Sequence, residues 1–244
     1  MDVTGKTVLL TGGSAGIGRE IARQLQAKSA VVILTGRDPA RLDAMRAEGF
    51  EVLAADLSNA AGVDALVEAL GDRGIDILIN NAGLGVQHDV RAAMPDPDAA
   101  DGCLYANLSA PIRLITALLP RLRARNAAAP EAAIVNVTSG LAIAPNAGSA
   151  VYCATKAGLR SYTMSLRAQL AGERVHVIEA LPPVVDTQMT ADRKTGKMPP
   201  QECARQILAA LEGNRAEANV GMVKILRAVY SLSPALARRI MIRF

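Results

Sequence analysis

The chain has 244 residues, half of them apolar, and carries 27 lysines and arginines against 23 aspartates and glutamates. This length allows one sizeable hydrophobic core, and no Pro/Gly/Ser-rich run marks a linker, so we expect a single domain over residues 1–244. Six aromatic residues are too few for a base-stacking surface, which argues against a nucleic acid partner. The positive charge is local, because five basic and no acidic residues follow Glu217.

The cysteines indicate a reducing compartment. Cys103, Cys153 and Cys203 are odd in number and far apart, so we expect free thiols and a cytoplasmic protein. The spacing of cysteines and histidines fits no metal site, and none is expected. No segment has the anatomy of a signal peptide, and no uninterrupted apolar run reaches the roughly 20 residues that span a bilayer.

The first predicted unit is a strand, a glycine-rich turn and a helix. Residues 6–11 predict a buried strand, and Gly12-Gly13-Ser14-Ala15-Gly16-Ile17-Gly18 then opens a helix that runs to about residue 27. Gly12, Gly16 and Gly18 allow a tight turn and a close approach to a pyrophosphate, which the N–H groups and dipole of the helix start would bind. The spacing GxxxGxG differs from the commoner GxGxxG, but its context predicts a dinucleotide cradle.

The second predicted strand, over residues 30–35, ends at Gly36-Arg37-Asp38, where a βαβ nucleotide fold places the adenosine ribose. A guanidinium at this position pairs with a 2′-phosphate, so Arg37 favours NADP(H) as the cofactor over NAD(H). Two alternatives remain for Asp38. It accepts hydrogen bonds from the free ribose of NAD(H), or it caps the helix that begins at Pro39.

Two further strands predict polar groups at the same edge. Residues 51–55 lead to Asp56, which either accepts from the adenine amino group or caps the next helix. Residues 75–79 lead to Asn80-Asn81-Ala82-Gly83, where small residues let the chain pass under a cofactor and the asparagines tie strand ends together. Apolar strands alternating with helices predict a Rossmann-type, doubly wound α/β fold of three layers, with strand order 3-2-1-4-5-6.

The middle of the chain adds candidate polar groups. A long helix over residues 98–125 contains Asn107, which we expect to be solvated or bonded back to its own helix. A strand over residues 133–138 places Ser139 at its carboxyl end, where the hydroxyl holds a substrate oxygen or simply forms a turn. His176, in a strand over residues 175–181, is expected to pack in the core.

Tyr152 and Lys156 lie four residues apart on a predicted helix and share one face. An ammonium near a phenol stabilises the phenolate, and this lowers a pKa that is about 10 in a free tyrosine. The pair then works as an acid–base catalyst. The alternative is two unrelated residues on an amphipathic helix.

Taken together, these motifs resemble the short-chain dehydrogenase/reductase family over roughly residues 5–190. The likeness rests on Thr11-Gly12-x-x-x-Gly16-Ile17-Gly18, Asp56, Asn80-Asn81-Ala82-Gly83, Asn107, Ser139 and Tyr152-x-x-x-Lys156, in the family's order. The resemblance implies that Tyr152 is the acid–base residue, that Lys156 binds the nicotinamide ribose and lowers the phenol pKa, and that Ser139 orients the carbonyl. Asn107 would position a main-chain carbonyl and a water that relay protons to Lys156.

The resemblance also implies a lining for the cofactor. Its positions are Gly12, Ser14, Gly16, Ile17, Gly18, Arg37, Asp56, Leu57, Asn81, Ala82, Gly83, Tyr152, Lys156, Val185 and Thr187. The last two follow Pro182, where the family commonly has Pro-Gly-x-x-x-Thr, and would meet the nicotinamide carboxamide. Pro183 replaces that glycine and is expected to stiffen the loop.

The end of the chain departs from the family. Its usual final strand is not recognisable after Asn219, so residues 219–244 are expected to form a basic, amphipathic helical extension. Residues 222–232 predict one helix, and Ser233-Pro234 the cap and first turn of another. This ending is similar to the branch named for D-alanylation of teichoic acids. We favour core packing or subunit contact, in a homo-oligomer, over peripheral membrane binding as its role.

The activity that the resemblance implies is hydride transfer between a nicotinamide cofactor and the carbonyl or alcohol carbon of a small molecule. Residues 84–96, 140–147 and 186–200 should shape the pocket, whose apolar side chains favour a hydrophobic substrate. These side chains are Leu84, Val86, Leu141, Ile143, Met189 and Met198. Two other functions remain possible from the sequence. They are a catalytically silent nucleotide-binding regulator and a membrane-surface adaptor that uses the basic tail.

Overall fold

Seven parallel strands form one sheet in the computed structural model, which describes residues 1–86, 90, 96–125, 131–193 and 196–243. The strands are β1 (Thr7–Leu10), β2 (Val31–Gly36), β3 (Glu51–Ala54), β4 (Ile77–Asn80), β5 (Ala132–Val137), β6 (Val175–Leu181) and β7 (Glu217–Asn219). Their order is β3-β2-β1-β4-β5-β6-β7, and every neighbouring pair is parallel. The predicted doubly wound α/β fold is confirmed.

Helices cover both faces of this sheet. They are α1 (Gly16–Ala27), α2 (Pro39–Ala47), α3 (Ala60–Ala69), α4 (Pro97–Leu104), α5 (Ala110–Arg125), α6 (Ala150–Gln169), α7 (Pro200–Glu212), α8 (Val223–Leu232) and α9 (Pro234–Met241). Side-chain caps fix several helix starts. The Asp38 carboxylate accepts from the N–H of Arg41, and the Asn59 amide oxygen accepts from the N–H of Gly62.

The core is two apolar layers, one on each side of the sheet. Because side chains alternate along a strand, Val8 and Leu10 pack with α1, α2 and α7, whereas Leu9 packs with α3, α5 and α6. Each of these three strand residues is fully buried. Burial of one such side chain contributes about 1.5–3 kcal/mol, so the two layers hold the carboxyl ends of the strands at fixed positions.

The seventh strand corrects the predicted strand order, which ended at β6. Glu217–Asn219 pairs with β6, and Ala218 lies opposite Ala180. The strand therefore includes the first residue that we assigned to the helical extension. A segment of three residues with glutamate, alanine and asparagine has no apolar run, so its strand structure comes from pairing with the edge of β6.

The predicted helix over residues 98–125 is continuous but not uniform. Tyr105–Ser109 forms a π turn between α4 and α5, and Asn107 lies inside it. By length and composition the stretch Pro97–Ala124 also passes as a membrane span, a test that core helices of soluble proteins pass too. Its inner face packs in the core through Leu114, Leu118 and Leu122, which accounts for its apolar character without a membrane.

The C-terminal helices form as predicted and cover a loop at the carboxyl edge of the sheet. Val223 of α8 is buried against Ile143 and Leu181, with Leu226 and Tyr230 packed around them. Ser233 caps α9 by accepting from the N–H of Leu236. The carbonyl of Ile242 accepts from the N–H of Ala147 at 3.1 Å. The tail therefore holds residues 140–147 at both ends.

Candidate active site

The glycine-rich turn after β1 has a backbone that only glycine adopts without strain. Gly12 and Gly16 have φ values of +64° and +53°. A methyl group on Gly18 would lie 2.2 Å from the carbonyl oxygen of Gly12, so α1 begins in direct contact with the turn. Its cap position is Ala15, which has no side-chain acceptor. The first N–H groups of α1 therefore point towards the edge of the sheet without a side-chain cap.

Thr11 and Asn81 hold this turn against the end of β4. The Thr11 hydroxyl accepts from the N–H groups of Asn81 and Ala82, both at 3.0 Å. The Asn81 side-chain amide donates to the carbonyls of Thr11 and Gly12, at 3.0 and 3.1 Å. Asn80 donates to Asn136 of β5 at 2.9 Å. The strand ends are thus tied together by asparagines as the sequence predicts.

At the end of β2, Arg37 is exposed and makes no ion pair with any described residue. Its neighbour Asp38 caps α2 and pairs with Arg41 at 3.2 Å. Of the two alternatives for Asp38, the cap is therefore observed. Ser14 faces the same strand end, because a methyl group on Gly36 would lie 2.7 Å from the Ser14 hydroxyl oxygen.

Asp56 does not cap the helix that follows β3. Its carboxylate accepts from the N–H of Ser58 at 3.1 Å, whereas the cap of α3 is Asn59. Of the two predicted roles, the helix cap is wrong, since the residue that caps α3 lies three positions later. Leu57 beside it is buried.

Asn107 is completely buried, so the expected solvation is wrong, whereas a bond within its own helix is present from its amide nitrogen to the Cys103 sulfur at 3.3 Å. Its amide nitrogen donates to the carbonyl of Leu84 at 2.9 Å and to the hydroxyl of Thr155 at 3.1 Å. Its amide oxygen accepts from the N–H of Leu84 at 2.7 Å. The π turn widens the helix here and turns the side chain towards α6. The contacts of Asn107 with Thr155 and Leu84 were missed by sequence reasoning, which named Leu84 only as a pocket residue and gave Thr155 no role.

Lys156 is 3% exposed, and its ammonium donates to the carbonyl of Val137 at 2.9 Å. The nitrogen lies 5.6 Å from the centre of the Tyr152 ring. Burial lowers the pKa of Lys156 to about 8, because an apolar environment disfavours the charged form. The amine therefore carries a proton at neutral pH but loses it at a lower pH than the amine of a free lysine.

Tyr152 has a pKa raised to about 12, not the lowered value that the pairing with Lys156 implies. Burial of the phenol is the main cause, and a hydrogen bond with Ser139 opposes it. Ser139 stands at the end of β5, where its hydroxyl also accepts from the N–H of Leu141 at 3.1 Å. The phenol is thus protonated at neutral pH and lies beside a serine hydroxyl.

Gly83 joins the glycine-rich edge to these polar residues. A methyl group on Gly83 would lie 3.2 Å from the amide oxygen of Asn107 and 3.5 Å from the nitrogen of Lys156. Asn107, Lys156, Tyr152 and Ser139 therefore form one cluster next to the end of β4.

The loop after β6 closes over the glycine-rich turn. Val185 is buried and bridges to Met198, and Thr187 begins a short 3-10 turn with a capping box to Thr190. The Thr187 methyl carbon would lie 2.9 Å from a methyl group on Gly16. Pro183 is compatible with this closed path.

The predicted pocket residues divide into two groups. Met189 is 52% exposed and lies against Gly85, at the open side of the cluster. Ile143 is buried under α8, and Met198 packs on the core, so these two support the walls from behind. Residues 87–89, 91–95, 194 and 195 of the predicted pocket loops lie outside the described residues.

The described residues contain no group of three histidine, cysteine or acidic side chains placed to hold a metal ion. The three cysteines are free and buried. His176 is partly exposed and lies 3.5 Å from Glu131, so it is not the packed core residue that we expected.

Comparison with known proteins agrees with this geometry. Residues 6–197 match the short chain dehydrogenase family. An uncharacterized oxidoreductase, DltE, of Bacillus subtilis is 40% identical over 191 residues, which cover 77% of this chain and 74% of that protein.

Two solved structures resemble the whole chain. A short chain dehydrogenase from Burkholderia cenocepacia, in complex with NADP, is 29% identical with a TM-score of 0.86 and 99% of both chains covered. One from Sphingobium yanoikuyae, in complex with NADPH, is 27% identical with a TM-score of 0.81, covering 95% of this chain and 94% of that one. Fold, motif order and sequence identity agree, and the chain belongs to the short-chain dehydrogenase family of oxidoreductases.

Proposed function

We propose that this protein is an NADP(H)-dependent oxidoreductase that interconverts a carbonyl and an alcohol on a small hydrophobic substrate. The observation that carries the proposal is the position of Gly83. It lies beside Asn107 and Lys156, and it follows Asn81, whose side chain bonds to the glycine-rich turn. A dinucleotide cradle and an acid–base cluster thus share one edge of the sheet.

The residues present fit a dinucleotide. The backbone at Gly12 and Gly16 leaves no side chain between the turn and a ligand, and α1 offers free N–H groups to a pyrophosphate. Ser14, Ile17, Gly18, Asp56, Leu57, Asn81 and Ala82 would complete the lining, together with Val185 and Thr187 at the nicotinamide end. When bound, the nicotinamide supplies or accepts the hydride.

NADP(H) is the coenzyme that Arg37 supports. Its guanidinium is exposed and makes no ion pair with a described residue, whereas the carboxylate of its neighbour in sequence, Asp38, caps α2. The guanidinium is therefore available to a 2′-phosphate. The NADP and NADPH complexes of the two solved relatives point the same way.

Each residue of the cluster has a distinct role in reduction. Ser139 holds the substrate oxygen, and Tyr152 gives its proton to that oxygen, for which a phenol with a raised pKa is in the correct state. Lys156 stabilises the phenolate that remains. Asn107 fixes the π turn, whose backbone carbonyl we assign to a water that returns a proton through Lys156.

The test is a panel of aldehydes and ketones assayed with NADPH and NADH in parallel, using the wild type and Tyr152→Phe. We expect turnover with NADPH and a loss of at least a hundredfold in the variant. Equal turnover by the variant would contradict the mechanism, and a strong preference for NADH would contradict the role of Arg37. Binding of NADPH without any turnover would identify a nucleotide-binding regulator instead.

A further inference from the structure

Exposed apolar side chains are concentrated at the end of the chain. Of the eleven large hydrophobic side chains that are exposed in the described part of the protein, six fall between residues 222 and 242. They are Met222, Ile225, Leu232, Leu236, Ile240 and Ile242. We call these six, with the basic residues Lys224, Arg239 and Arg243 that lie among them, the tail face. A concentration of exposed apolar side chains in one short segment is typical of an interaction site.

The part of the tail face on α8 is separate from the core. Met222, Ile225 and Leu232 recur at helical spacing and are 67%, 56% and 90% exposed. The opposite side of α8 carries Val223 and Leu226, which pack on the loop at residues 140–143. Because Val223 and Leu226 make the contacts with this loop, the exposed stripe has no partner within the described part of the chain.

The part on α9 combines apolar and basic side chains on one side. Leu236 and Ile240 lie one turn apart, Arg239 directly precedes Ile240, and Arg243 follows two residues after the end of the helix. Ala237, on the inner side, is completely buried. An exposed apolar stripe bordered by arginines is typical of helices that lie in a membrane interface.

The tail face carries an excess of positive charge, although Lys224 interacts electrostatically with the carboxylate of Glu202. Lys224, Arg239 and Arg243 are exposed and form no ion pair with a described residue. The acidic neighbours are already paired, Glu217 with Arg160 and Arg227, and Glu202 with Arg205. No acidic residue follows Glu217 in the sequence.

Two partners match an apolar face, and the charge separates them. A second copy that met this face by two-fold symmetry would bring together two surfaces that carry the same positive charge, which is repulsive. A bilayer with anionic lipids accommodates the apolar side chains and attracts the cations. We propose that the tail face docks the protein on the surface of an anionic lipid bilayer, with Leu232, Leu236 and Ile240 inserted.

Docking in this way brings lipid close to the candidate active site. Val223 and Leu226 cover Gly140, the residue after Ser139, and Ile242 accepts from Ala147 at the far end of the same loop. The membrane-facing helices and the wall of the substrate pocket are therefore one packed unit. The docking proposal itself uses none of the catalytic residues, so its test is independent of turnover.

The test is sedimentation of the full chain with vesicles at low ionic strength. One set of vesicles is pure phosphatidylcholine, and the other contains one third phosphatidylglycerol. We expect binding to the anionic vesicles only, and a fall in binding as salt is added, because the attraction is screened. Absence of binding to the anionic vesicles would overturn the proposal.

Variants test the two parts of the tail face separately. Leu232→Glu and Ile240→Glu should each reduce partition at least tenfold, and Arg239→Ala about fivefold, the effect of one surface arginine at an anionic membrane. Met164→Glu is the matched control, since Met164 is 50% exposed but lies on α6. Circular dichroism of each variant verifies the fold.

Two results of the variant series would overturn the proposal. One is vesicle binding that Leu232→Glu and Ile240→Glu leave intact. The other is a wild-type oligomer, measured by light scattering, that these two substitutions dissociate, because the tail face would then be covered by a second copy.

Discussion

The pKa values of Tyr152 and Lys156, which lie in one cluster, are shifted in opposite directions. Burial raises the pKa of the phenol to about 12 and lowers that of the amine to about 8. In the proposed reduction, the phenol would therefore hold the proton to be donated near neutrality, and the ammonium would keep the charge that stabilises the phenolate. The sequence alone predicted the pair but not the sign of the phenol shift, because that sign depends on how deeply the ring is buried.

The lowered pKa of Lys156 predicts a pH limit for reduction. Below pH 8 the amine is charged, and above it the charge is lost, so kcat/KM with NADPH should fall above about pH 8. Steady-state rates between pH 6 and 10 measure this. Lys156→Arg keeps a cation throughout the range, so any residual activity should lack the fall. A wild-type profile that stays flat to pH 10 would refute the assignment.

Arg37 predicts coenzyme choice. Because its guanidinium is free to pair with a 2′-phosphate, Arg37→Ala should raise the KM for NADPH at least tenfold and leave that for NADH almost unchanged. Arg46→Ala is the control, since Arg46 forms a surface ion pair with Asp43 on the same helix. An equal rise in the KM for NADPH and for NADH would contradict a contact between Arg37 and the 2′-phosphate.

At the scale of elements, the long apolar segments were predictable and the special local geometries were not. Strands β1, β2, β4, β5 and β6 follow from continuous apolar runs, and their polar ends follow from parallel topology. The π turn that buries Asn107 has no sequence signal in a single chain, because it is fixed by contacts with Leu84 and Thr155. The short strand β7 likewise depends on its neighbour.

The packing of α8 on the substrate loop predicts the effect of a cavity. Val223→Ala removes two methyl groups from the cluster with Ile143 and Leu181, which should lower stability by about 1–3 kcal/mol. The loop after Ser139 loses its support, so the KM for the carbonyl substrate should rise while the NADPH dissociation constant stays constant. Thermal unfolding and coenzyme titration measure both. A change in the NADPH dissociation constant without a change in the KM for the carbonyl substrate would contradict the role of α8 in supporting the substrate loop.

At the scale of the whole molecule, one buried ion-pair network connects the active-site helix to the last strand and the tail. Arg160 lies one turn after Lys156 on α6 and contacts both Glu179 of β6 and Glu217 of β7. Glu179 has no exposed surface and also accepts from the hydroxyl of Thr138 at 2.7 Å. Arg227 of α8 reaches Glu217 at 3.6 Å. Sequence reasoning missed this network, because its members come from four different elements and Arg160 and Glu217 are 57 residues apart.

Removal of the buried negative charge of Glu179 should strongly lower the free energy of unfolding. Glu179→Gln leaves the buried Arg160 without one of its partners, which should cost about 3 kcal/mol. Glu202→Gln is the control, since Glu202 pairs with Arg205 on the surface and should cost less than about 1 kcal/mol. Urea unfolding at pH 7 compares the two. Equal losses would mean that the network is not a structural link.

The tail shows what a sequence leaves open at this largest scale. The helices of the tail and its charge were predictable from the sequence. The choice between packing in the core and docking on a membrane depends on which apolar side chains are exposed, and that depends on which side of α8 packs on the loop at residues 140–143. The predicted core packing is observed on one side of α8, through Val223, and the membrane-docking proposal concerns the exposed side. Subunit contact stays a prediction.

The most direct test of the central claim follows a labelled hydride. NADPH carrying deuterium in place of both hydrogens at nicotinamide C4 is mixed with an accepted ketone and either the wild type or Tyr152→Phe, after titration has established that both bind the coenzyme. We predict that the wild type transfers deuterium to the alcohol carbon and that the variant, although loaded with coenzyme, transfers it at least a hundredfold more slowly. Equal transfer by both proteins, or deuterium absent from the alcohol, would contradict the account.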